Sequence, residues 1–174
     1  HTSVELLRVI MRRKYGAEVE TVEWDARLVG ARAKTEGEGP EAILLIGDKV
    51  VTDPPDPARY PHSLDLGAAW KEMTGLPFVY AVWMCRAGEE ESVKVRAAAA
   101  MLDRSRRHNQ TRLGWIVDAR AEERGWNRAM AATYLSEYLR YAFGEAEGEA
   151  MRKFLGWAGA ETGAEQGTQG HVAT

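Results

Sequence analysis

Cysteine is nearly absent from this chain. Cys85 stands alone, so no internal disulfide can form. The four histidines, His1, His62, His108 and His171, show no metal-ligand spacing. No apolar run approaches the roughly 18 residues of a membrane helix, and no basic segment followed by an apolar one opens the sequence as a secretory leader would. The GxGxxG, GxxxxGK and GxSxG patterns are missing, which disfavours nucleotide-dependent and acyl-enzyme chemistry. A one-sided charge is missing too. Lys and Arg number 23 against 26 Asp and Glu, a formal net charge of -3, and so no broad positive field exists to hold a nucleic acid. These absences predict a cytoplasmic protein with neither a nucleic-acid nor a membrane partner.

What is present suits one domain or two small lobes, since 174 residues suffice for a sizeable core. Thr2 and Glu5 have capping-box spacing, and Leu6, Leu7, Val9, Ile10 and Met11 follow as a helical stripe that Gly16 can end. Residues 18–24 alternate as a strand with one wet face, residues 25–34 read as a short helix, and residues 42–46 as an aliphatic strand. Pro54, Pro55, Pro57 and Pro61 make the stretch that follows a surface loop. A helix over 66–73 then leads through Thr74-Gly75-Leu76-Pro77 into an apolar run over 76–84, predicted to be a central strand buried on both faces. Beyond Arg86 the composition turns helical, with segments at 90–107, 113–123, 127–143 and 149–160. The tail after Thr162 has little apolar content to pack. An α/β half followed by helices predicts two lobes: residues 1–78 as an α/β lobe with ligand-facing strand ends, 79–160 as a crossover strand with helices of the other lobe, and 161–174 as a flexible tail.

Few residues point to chemistry. His1, Thr2 and Ser3 open a helix, where free N–H groups, two hydroxyls and the positive dipole end suit a carboxylate or phosphate. The competing reading is a simple helix cap. His1 has the ordinary pKa range of an acid or base, though a lone histidine is commonly incidental. Gly47 and Asp48 follow an expected strand end, where backbone and carboxylate can face a cleft or merely form a turn. Arg104, Arg106, Arg107 and His108 end a helix as dipole-complementing cations, and the tryptophans and Tyr134, Leu135, Tyr138, Leu139 and Tyr141 fall at packing positions.

Four segments in order go further: HTSVELLRVI at 1–10, AILLIGD at 42–48, DLGAAW at 65–70 and TGLPFVYAVW at 74–83, with a weaker likeness through FLGWA at 154–158. Together they resemble the chorismate dehydratase family of the futalosine route to menaquinone. The resemblance implies a two-lobed, type II periplasmic-binding-protein-like α/β fold with mixed sheets and a helical C-terminal half. It implies too that this sequence starts after the N-terminal portion of such proteins. The implied activity is a hydro-lyase reaction, loss of water from chorismate to give 3-[(1-carboxyvinyl)oxy]benzoate, with no cofactor and no metal. The protein would act as a monomer or homodimer on a dicarboxylate. Thr2 and Ser3 would hold a substrate carboxylate, Gly47 and Asp48 would line the opposing side, and His1 would be the candidate for proton transfer. The alternatives are 1,4-dihydroxy-6-naphthoate synthase of the same pathway and a non-catalytic domain binding an anionic solute.

Overall fold

The computed structural model describes residues 2–23, 40–47, 49–52 and 54–167, with side chains as far as Gly159. Its helices are α1 (Thr2–Tyr15), α2 (Lys49–Thr52), α3 (Leu66–Thr74), α4 (Val93–Gln110), α5 (Leu113–Arg120), α6 (Arg128–Thr133) and α7 (Glu145–Gly167). A 3-10 turn at Glu122–Arg124 and a π turn at Tyr134–Tyr138 flank α6.

The α/β expectation is overturned. Among the described residues every regular element is helical, and there is no β-strand and no sheet, parallel or mixed. An apolar run becomes a strand only when its N–H and C=O groups pair with a neighbouring chain. Residues 42–46 and 76–84 have strand-like composition but form no ladder with any described residue. Nor is the second run buried on both faces: residues 76–79 are partly covered, whereas everything from 80 to 90 is exposed, Trp83 to 84% and Met84 to 87%. Residues 18–23 are irregular, and the segments expected at 25–34 and in the last residues of the tail lie outside the described residues. The expected long helix over 127–143 is also shorter: it passes into the π turn and leaves helical geometry at Leu139, which is extended.

The described residues fall into two compact units. Those of His1–Val50, Pro54–Tyr80 and Gly144–Thr174 form the first, and those of Val51–Asp53 and Ala81–Phe143 the second. In the first unit, Leu6, Val9 and Ile10 share one stripe of α1 and pack with Ala69 and Trp70 of α3 and Phe154 of α7. Burying each large aliphatic side chain contributes about 1.5–3 kcal/mol. Trp70 meets Phe78, Phe154 and Trp157 edge to face, with ring centroids 5.5, 5.9 and 5.3 Å away. The rim is charged: the Arg13 guanidinium lies 4.3 Å over the Trp157 ring, and Lys14 pairs with Glu72, which holds the lysine above its ordinary pKa.

The ends of α3 follow from its sequence. Asp65 precedes it in extended conformation and its Oδ1 accepts the Ala68 N–H at 2.8 Å, while Gly75 closes it with φ of 72°, donating its N–H to Lys71 O at 2.8 Å. Asp65→Ala is expected to cost about 1 kcal/mol, read as a lowered midpoint in urea unfolding.

The second unit has a smaller core of Val117, Ala121 and Ala131, flanked by Trp126 and Leu135. Asn127 Oδ1 caps α6 by accepting from Ala129 N at 2.9 Å and Met130 N at 3.2 Å. On α4, Asp103 accepts from Arg106 at 2.8 and 3.1 Å and faces Arg107 Nε at 3.1 Å. The Arg106 hydrogen bond, aided by the Arg107 charge, holds the carboxyl below its ordinary range. A depressed carboxyl contributes stability above its unfolded pKa and loses it as pH falls through the folded one. The Arg106 and Arg107 side-chain NMR signals should therefore stay in their paired state at neutral pH and move only on acidification below the usual aspartate range.

Candidate functional site

Thr2 is the first residue of α1, exposed, and Ser3 is half-exposed beside it. The expected capping box does not form, since Glu5 Oε1 accepts from Arg8 Nη1 at 3.0 Å instead of reaching back to Thr2. Neither hydroxyl has a hydrogen-bond partner among the described residues. Two hydroxyls thus remain unspent at the end of a helix whose first N–H groups lack intrahelical acceptors. That arrangement can receive an anion.

Gly47 has φ of 72° and makes a turn in which its C=O accepts the Val50 N–H at 3.2 Å. Among the described residues no atom lies within 4 Å of where a Cβ would stand. The described residues show no hydrogen bond joining Gly47 to Thr2 or Ser3. His1 and Asp48 lie outside the described residues.

A further pair was not singled out from the sequence. The Tyr80 hydroxyl sits on the first turn of α3, in the space a Cβ on Gly67 would need, with Asp65 Oδ1 3.3 Å from the same point. Tyr80 also stacks edge to face on Phe78, centroids 4.8 Å apart. A glycine in the first turn of an otherwise sound helix was the available signal, but only the fold shows which side chain it admits. Gly67→Ala is expected to displace the half-exposed Tyr80 ring and shift its NMR resonances. Unfolding free energy should change by less than about 1 kcal/mol, because alanine favours helix.

Among the described residues no group of three His, Cys, Asp or Glu could hold a metal ion. No helix there is long and apolar enough to cross a membrane.

Comparison with known proteins adds to this geometry. The family described as menaquinone biosynthesis matches residues 1–160, nearly all of the sequence. The chain belongs to the menaquinone biosynthesis family. It is 28% identical over 168 residues to a protein of Thermus thermophilus named chorismate dehydratase, an alignment covering 88% of this chain and 58% of that relative. The chain therefore spans little more than half the relative's length. No solved structure matches it. The four ordered segments thus pointed to the right family, although the fold expected with it is not seen among the described residues.

Proposed function

We propose that this member of the menaquinone biosynthesis family is a chorismate dehydratase, or contributes the corresponding part of one. The observation that carries the reading is the family match over residues 1–160, together with the likeness to the Thermus protein of that name. The unspent hydroxyls of Thr2 and Ser3 at the start of α1 support it, because the substrate is a dicarboxylate.

Removing the proton from the ring carbon that bears the ether oxygen leaves an electron pair. That pair delocalises through the adjacent alkene toward the ring carboxylate. The neighbouring hydroxyl accepts a proton and departs as water, and the gain of aromaticity drives the step. The protein has to fix two carboxylates and manage proton transfer, both of which depend on orientation. In this reading Thr2, Ser3 and the first-turn N–H groups of α1 hold one carboxylate. Gly47 and Asp48 line the opposing side, and His1 carries the proton. No cofactor is required by the balance of atoms.

Incubating the chain with chorismate, beside the Thermus relative as a reference, and following 3-[(1-carboxyvinyl)oxy]benzoate by chromatography and mass tests the proposal. Product is expected from this chain alone if it carries the whole site, and from the chain joined to the N-terminal portion of the relative if it contributes only the corresponding part. Saturable binding of chorismate with no product would instead favour a non-catalytic solute-binding role. Where turnover is measured, Thr2→Ala and Ser3→Ala should each raise KM roughly tenfold, the loss of one hydrogen bond to a charged group. Unchanged kinetics in both would remove these residues from the site.

A further inference from the structure

The two sides of α4 use their cations differently. Asp103 engages both Arg106 and Arg107. On the adjoining face Met101, Arg104, Ser105, His108 and Asn109 recur at helical spacing and line an open depression of about 370 Å³. The Arg104 guanidinium, the Ser105 hydroxyl and the Asn109 side-chain amide have no hydrogen-bond or ion-pair partner among the described residues. His108 Nε2 faces Arg112 Nη1 at 3.2 Å. A guanidinium can only donate, so Nε2 accepts and Nδ1 keeps the ring proton, making the imidazole a further donor.

The lining holds no carboxylate, only one apolar side chain, and donors that remain unspent. Two full positive charges, on Arg104 and Arg112, outweigh the roughly half-unit negative charge at the helix end. A single methionine is too little apolar surface for helix docking, but it can cover the carbon skeleton of a small ligand. We propose that this depression binds a small oxyanion, a phosphate or carboxylate group, with Arg104 as the charged anchor and Ser105, His108 and Asn109 as hydrogen-bonding partners. The site lies in the second unit and is independent of the dehydratase reading.

The test is an NMR titration of the 174-residue chain, at constant ionic strength, with inorganic phosphate in one arm and acetate in the other. Saturable shifts centred on Ser105, His108 and Asn109, with a dissociation constant on the order of 1 mM, are expected for at least one anion. Arg104→Gln should weaken that binding at least roughly tenfold. Arg104 is exposed, so the change leaves the fold in place, and Arg96→Gln on the same helix but outside the depression should bind as the parent does. Saturation by phosphate alone names a phosphorylated ligand, and saturation by acetate alone a carboxylate. Failure of both anions to saturate overturns the site, as does equal binding by Arg104→Gln and the parent.

Discussion

Trp70→Ala is expected to destabilise the first unit by about 3–5 kcal/mol, the range for removing a fully buried large aromatic. Trp70 has no exposed surface, and three aromatic neighbours from beyond α3 and from α7 pack edge-on against it. The vacated space cannot be refilled by Leu6 or Ile10 without pulling α1 off its own stripe. Part of the cost is offset, because the buried indole Nε1–H has no hydrogen-bond acceptor among the described residues and its desolvation is relieved when it is removed. Trp70→Phe, which keeps an aromatic ring and deletes that donor, should lose less than half as much. Urea unfolding followed by circular dichroism measures both. A loss below about 1 kcal/mol in Trp70→Ala would show that the α1, α3 and α7 cluster is not what holds this unit together.

Val117→Asp should have a comparable effect on the other unit. Val117 is 5% exposed, and with Ala121 and Ala131 it makes up that unit's buried core among the described residues, so a carboxylate there would be taken out of solvent into an apolar cluster. An uncompensated buried charge costs about 3–5 kcal/mol. Against a core of one valine and two alanines, that is enough to melt α5 and α6. The signals of Leu6, Ile10 and Trp70 should remain folded, because the two clusters share no residue. Loss of both sets of signals together would show that the units do not unfold separately.

The helices α1 and α3 were legible in this sequence from their apolar stripes, although the capping box expected of Thr2 and Glu5 does not form. Asp65 and Gly75 delimit α3, and both act as their residue types require. The stripe of Leu6, Val9 and Ile10 marks the buried face of α1. Strands were not legible, because residues 42–46 and 76–84 advertise apolar content and not a partner. Pairing is a relation between distant segments, and a single apolar run cannot specify it. The family was readable from short ordered segments. The site was readable only as candidates, Thr2, Ser3 and Gly47 among them, whereas Tyr80 over Gly67 depends on a tertiary approach that residue type alone does not reveal.

The discontinuity of the first unit has a consequence for biosynthesis. Leu6, Val9, Ile10 and Trp70 leave the ribosome well before Phe154, and the whole stretch Ala81–Phe143 must be made in between. At about 5–20 residues per second, that is a wait on the order of ten seconds during which α1 and α3 present an unsealed aromatic surface. The second unit, contiguous over that stretch, can fold during the interval and shorten the effective span that α7 has to close. A nascent chain halted before Phe154 should therefore be a chaperone substrate, and one extended past Trp157 should be released.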